Sequence, residues 1–220
     1  MKTKLRIFIL LLFSVLMSNS CHHRQVVSDC FPGKSLEIGT FPLSKSKYLP
    51  ASVFKSQYIH DENEVDNGMF SYMQVLKEPS ILTGTESEEE VYRFVWIRSF
   101  HNPVSIRLQK SLTKVSLIVK ESAKRIDDEP TKLIADKSKD VSILQWMKFK
   151  SLLEKECFWT IEYNYKEMAI IDGAAWQLEG KRENRYHIVR KASPTKGKFR
   201  EACLYLLELS DLKITEDDIY

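Results

Sequence analysis

The chain has 220 residues, 43% of them apolar and 11% aromatic, enough for one domain with a buried core. Its formal charge of +3 comes from 33 Lys+Arg against 30 Asp+Glu, and three of the basic residues, Lys2, Lys4 and Arg6, lie in the first twenty, which hold no acid. Beyond residue 20 the charges balance, 30 against 30, so there is no cationic surplus of the kind that binds nucleic acid through its phosphates.

Lys2, Lys4 and Arg6 precede a run from Ile7 to Met17 that is apolar except for Ser14. The run is shorter than the roughly 20 apolar residues that span a bilayer. It reads as the h-region of a signal peptide over residues 1–20, with the small residues Ser18 and Ser20 before the cut. The stretch resembles the bacterial lipoprotein signal class, whose cysteine, here Cys21, becomes the first mature residue and carries a diacylglycerol thioether and an amide-linked acyl chain. That class prefers Leu three residues before the cysteine, where this chain has Ser18, with Leu16 two further back. Cleavage by an ordinary signal peptidase nearby is the alternative. Either way the mature chain is expected in the cell envelope, and lipidation at Cys21 makes a membrane its first expected partner, because each buried methylene contributes roughly 0.8 kcal/mol.

Cys30, Cys157 and Cys203 remain, an odd number for an oxidising compartment. Cys157 and Cys203 fall at apolar helical positions, which predicts two buried thiols or a bridge between them. No C-x-x-C or H-x-x-x-H spacing occurs, so neither a metal nor another cofactor is expected. "DENEVDNG" at 61–68 fails the calcium-loop pattern, since Val65 takes a ligand position and the sharp turn lacks its glycine. His22 and His23 read as polar tether residues.

Residues 21–50, rich in Ser, Lys, Pro and Gly, read as an anchor tether followed by a strap on the surface of a single domain over 51–220. Met69, Phe70, Met73 and Leu76 predict a short helix that must end before Pro79. In "EVYRFVWIRSFHNPVSIRLQK", Tyr92, Phe94 and Trp96 take one face and Arg93, Val95 and Ile97 the other, a strand hairpin extended by a third strand through Val115, Leu117 and Val119. Residues 120–140 are charged and weakly patterned, and read as an exposed excursion. Ser142 and Gln145 form a capping box that opens a helix with Trp146, Phe149, Leu153 and Cys157 on one face. "AAWQLEG" and "YHIVRK" are two strands joined by "KREN", and a last helix buries Phe199, Cys203 and Leu206. The fold class is therefore α+β, an antiparallel sheet of two hairpin or meander units packed against two or three helices.

Together "EPSIL", "VYRFVWIRSFHNPVSIRLQK", "FKSLLEKECFW", "IDGAAWQLEG", "RYHIVRKASP" and "CLYLLELSDL" resemble a family of uncharacterised bacterial envelope proteins with YRF-x-W-x-R-x-FH-x-P and DG-x-x-W-x-LEG…YH-x-V-x-R-x-SP hairpins. The likeness covers most of residues 78–214 and implies no activity. Relatives tend to carry a Gly-rich stretch where residues 120–140 have no glycine, so any function seated there is in doubt for this chain.

The densest chemistry lies in 172–194, where Asp172, Trp176, Glu179, His187, Arg190 and Ser193 fall close together. Ser193, His187 and Asp172 have the residue types of an envelope hydrolase, but no G-x-S-x-G elbow surrounds the serine and Pro194 follows it. A structural reading gives Trp176 a core position, His187 a strand position with one nitrogen satisfied, and Glu179 a cross-strand pair with Arg190. A third reading shares the sheet between the hairpins, so that Arg98, His101, Glu179 and His187 line a polar groove for another envelope protein or a small anionic ligand.

Overall fold

A computed structural model of the chain describes Cys30 and residues 36–44, 46–51, 70–83, 90–124, 130–161 and 172–220. The α+β architecture is as expected. Seven strands, β1 (Leu36–Glu37), β2 (Glu90–Arg98), β3 (Val104–Lys110), β4 (Val115–Lys124), β5 (Pro130–Asp140), β6 (Ala174–Arg182) and β7 (Arg185–Ala192), form one antiparallel sheet in the order β1-β7-β6-β2-β3-β4-β5. The two predicted hairpins thus meet edge to edge through β2 and β6.

Alternation decides which residues meet which layer. Tyr92, Phe94 and Trp96 of β2 face two helices, α1 (Ile143–Lys155) and α2 (Lys198–Leu209), and join Trp176, Leu178, Phe149, Leu153, Phe199, Cys203 and Leu206 in the larger core. Rings carry much of this layer: Tyr92 meets Phe149 at 5.2 Å and Trp96 meets Trp176 at 5.5 Å, separations that suit edge-on aromatic contact. Gly180 makes room for them, since a Cβ there would lie 2.9 Å from ring atoms of both Phe158 and Tyr92. The other face carries Val91, Val95, Tyr186 and Ile188, covered by Leu49, Met73, Ile81 and Leu82 from the described parts of 36–82. Ile38, Phe41, Leu43 and Tyr48 pack against this cover, and β1 pairs with β7. Residues 70–75 are helical, and the helix ends before Pro79 as expected.

Ser142 caps α1 as the sequence indicates: its Oγ accepts from the Gln145 amide, and the Gln145 side chain accepts from the Ser142 amide. Two other expectations are overturned. Within 120–140, the described residues are strands β4 and β5, not an excursion. The weak pattern has a physical cause: β5 is an edge strand whose side chains are mostly exposed, so it needs no apolar face, and register shifts at Glu121/Ser122 and Ala123/Lys124 break the alternation of β4. The cysteines also pair differently. α1 stops at Lys155 and Cys157 adopts a left-handed conformation (φ 51°), which takes it off the helix face and into a disulfide with Cys30, while Cys203 stays a free thiol in the core. Cys21, His22 and His23, residues 61–68 and the rest of the signal segment lie outside the described residues.

Candidate functional site

The most concentrated polar chemistry is on the cover side of the sheet. The antiparallel registers place Glu179 of β6 opposite Arg93 of β2, and Arg93 opposite Arg107 of β3. Two arginines side by side on neighbouring strands repel, and like charges directly opposite destabilise a sheet. The chain resolves this with Glu78, just past the 70–75 helix, whose carboxylate lies 3.6 Å from Arg93 Nη1 and 3.0 Å from Arg107 Nε. Lys120 of β4 joins at 3.7 Å and donates to the Lys77 carbonyl. Arg93 grips Glu179 through Nε at 3.1 Å and Nη2 at 2.9 Å, and donates Nη1 to the Pro79 carbonyl. Tyr186 Oη and Gln177 Nε2 donate to the same carboxylate.

Arg93 and Glu179 are fully buried. Burial works against the Arg93 charge, yet the neighbouring Glu179 and Glu78 carboxylates hold its pKa above the usual arginine value. With Arg93 forked on Glu179, Glu78 shared among three cations and Asp136 at 3.9 Å from Lys120, the cluster spends its charges internally. The expected Glu179–Arg190 pair does not form. Arg190 lies across from Gln177 in β7, while both oxygens of Glu179 are taken by Arg93, Gln177 and Tyr186.

His187 follows Tyr186 and therefore points to the opposite, helix-facing side. Its ring sits 5.1 Å from that of Phe158 and 6.3 Å from that of Trp159. Burial disfavours the imidazolium and lowers the pKa to about 4; a hydrogen bond with the Ile161 backbone opposes this and Arg185 adds to it. His187 is therefore neutral at pH 7, and among the described residues its Nε2 has no hydrogen-bond partner.

Arg98 and His101 belong to a third place, at the β2–β3 turn. The Arg98 guanidinium stacks 3.9 Å over the Trp96 ring and donates to the Asn102 carbonyl at 3.0 Å. His101 Nδ1 is 3.0 Å from Tyr220 Oη and its Nε2 is 3.0 Å from Asp218, whose carboxyl is held below its usual pKa mainly by hydrogen bonds from Thr215. Trp176, on the helix side, donates its indole N–H to the Tyr220 carbonyl at 3.0 Å.

The shared groove of Arg98, His101, Glu179 and His187 is thus absent: the four divide among the buried cluster, the aromatic layer and the turn bound by residues 218–220. Ser193, His187 and Asp172 do not gather either. The Ser193 hydroxyl accepts from the Ala174 amide, Asp172 is exposed before β6, and His187 stands six residues up β7 from Ser193, roughly 20 Å of extended chain.

Sequence reasoning did not single out Glu78, Lys120 or Tyr186, which reach the cluster from remote segments. It also passed over a cleft of about 330 Å³ where the β3–β4 turn meets the start of α1, lined by Lys110, Leu112, Lys114, Asp140, Val141 and Ile143 among others. Leu112 there is 81% exposed and Leu144, on the next position of α1, 74%. Among the described residues no group of three or more His, Cys, Asp or Glu is placed to hold a metal ion. No helix among them is long and apolar enough to cross a membrane. No protein-family model, curated protein or solved structure matches the chain.

Proposed function

We propose that the protein is an exported, lipid-anchored component of a bacterial cell envelope that works by binding and assembly at its surface. The observation that carries this reading is how the polar groups are used. The groups that would do acid–base or nucleophilic work are buried in mutual pairs, held neutral or kept apart, whereas a catalytic set must converge within hydrogen-bond reach. Beside the cleft, Leu112, Ile143 and Leu144 are exposed, the kind of apolar surface that meets another macromolecule or a membrane.

Export is supported by the signal-like segment ending at Cys21 and by a disulfide between Cys30 and Cys157, a bond favoured in oxidising compartments. A small anionic ligand loses support, since Arg93 and Arg107 are neutralised by Glu179 and Glu78 and Arg98 is engaged with Trp96 and Asn102. The remaining partners are the bilayer and other envelope proteins.

The test is metabolic labelling with palmitate in a bacterial host. Label is expected on the full chain and lost in Cys21→Ala, with the variant leaving the membrane fraction. Label retained by Cys21→Ala overturns the anchor.

A further inference from the structure

The apolar side chains at the cleft form a compact exposed corner of the domain. Leu112 projects from the β3–β4 turn at 81% exposure, and Leu144, Met147 and Ile143 project from the first turns of α1 at 74, 59 and 51%. Positions three and four apart on a helix are neighbours, so the three α1 residues share one face. Leu112 and Ile143 line the cleft together with Lys110 and Lys114, and no ion pair among the described residues uses either lysine. Asp140 also lines the cleft, and the first turn of α1 holds no acid. Exposed aliphatic groups flanked by unspent ammonium groups complement a surface that is apolar inside and anionic outside.

Both ends of α1 lie at one end of the sheet. Val141, just before it, donates its amide to Val115 at the start of β4, and Phe158, just after it, packs against Gly180 near the end of β6, opposite Tyr92. The disulfide fixes Cys30 to Cys157 at the far end of the helix, so the tether from Cys21 starts from the same side of the domain as the apolar corner. Residues 21 to 30 reach at most about 30 Å when fully extended. α1, with 13 residues, is about 20 Å long.

From these facts we infer that Leu112, Ile143, Leu144 and Met147 dock the domain on the anionic bilayer that holds the acyl anchor, with Lys110 and Lys114 at the lipid phosphates. The inference rests on the lipid-anchored reading and deepens it. An anchor whose reach exceeds the length of α1 by only about half lets the corner touch the surface and keeps it nearby. Tethering supplies a high effective concentration, so a contact too weak to recruit a free protein suffices to orient a tethered one.

The experiment uses the full chain, purified from membranes and reconstituted into vesicles of phosphatidylglycerol and phosphatidylcholine or of phosphatidylcholine alone. Leu112→Cys, Leu144→Cys and, as control, Lys196→Cys are each labelled with nitrobenzoxadiazole; the native Cys30 and Cys157 are bridged and Cys203 is buried. Emission at 112 and 144 is expected to rise several-fold, more on the anionic vesicles, and to be quenched by lipids brominated in their acyl chains, with no change at 196. If the protein floats with the vesicles while 112 and 144 stay as dim as 196, the anchor stands and the docking is wrong. A rise at 112 and 144 with protein concentration in detergent, without vesicles, assigns the corner to a second copy and overturns the proposal. Failure of the protein to float removes the anchored reading, and the proposal falls with it.

Discussion

At the scale of single residues, Glu179 and His187 show how adjacent faces of one hairpin meet opposite requirements. The Glu179 carboxylate accepts from three side chains, Arg93, Gln177 and Tyr186, so Glu179→Gln leaves Arg93 buried beside a neutral amide. Breaking a buried pair in this way costs about 3–5 kcal/mol, to be read as a lower urea midpoint at unchanged slope. Replacing both partners, Arg93→Met with Glu179→Leu, is expected to recover most of that loss, because Glu78 keeps Arg107 and Lys120. His187 is the reverse case. Its folded pKa of about 4 lies below the 6.5 of an ordinary imidazole, so the unfolded chain binds the extra proton. The stability it contributes is complete above pH 6.5 and is lost as pH falls to about 4. The loss is on the order of 3 kcal/mol. A denaturation series across that window is expected to fall more steeply for the native chain than for His187→Phe, and parallel curves would remove His187 as the cause. Strand parity was legible in the sequence, and it already put Arg93 away from Tyr92, Phe94 and Trp96. The partner of Glu179 was not, because Arg93 and Arg190 both suit it until the order of strands is known, and β2 joins β6 across 86 residues.

At the scale of elements, local signals were readable where they act locally. The Ser142–Gln145 capping box is one, since two side chains three residues apart satisfy two amides with no help from the rest of the fold. Ser142→Ala is expected to cost about 1 kcal/mol, measured by thermal denaturation, with hydrogen exchange rising first in the opening turn of α1. Strand β5 was illegible for the complementary reason. Its stability comes from backbone pairing with β4, which leaves no trace in side-chain periodicity, and its exposed edge carries Lys132, Lys137 and Lys139, charges that oppose edge-to-edge association. The opposite edge, β1, is two residues long. The inner strands and their cover bring remote segments together: Arg93 of "YRF", Glu179 of "LEG" and Glu78 of "EPS" meet in one buried cluster. Within this chain those residues pair with one another between the sheet and its cover.

At the scale of the whole molecule, the Cys30–Cys157 bridge closes the loop from which the cover side is built. Among the described residues, that side is covered by short segments from 36–44, 46–51 and 70–82, and Glu78 among them pairs with Arg93, Arg107 and Lys120. All of these segments lie inside the loop that the bridge closes, with its ends 127 residues apart. Closing a loop of that length restricts the unfolded chain by about 4–5 kcal/mol in the chain-entropy account. The pairing was hidden in the sequence because the helical period extends naturally through Leu153 to Cys157, while the left-handed turn that removes Cys157 from α1 has no strong local marker. Cys30→Ser with Cys157→Ser is therefore expected to lower the urea midpoint by an amount corresponding to several kcal/mol. Amide exchange should rise earlier at 70–82 than in the aromatic layer, because the cover is held by the cluster and a small apolar patch, whereas α1 and α2 share the larger core. Equal loss of protection on both faces would mean that the bridge stabilises the molecule only globally and that the cover does not depend on it.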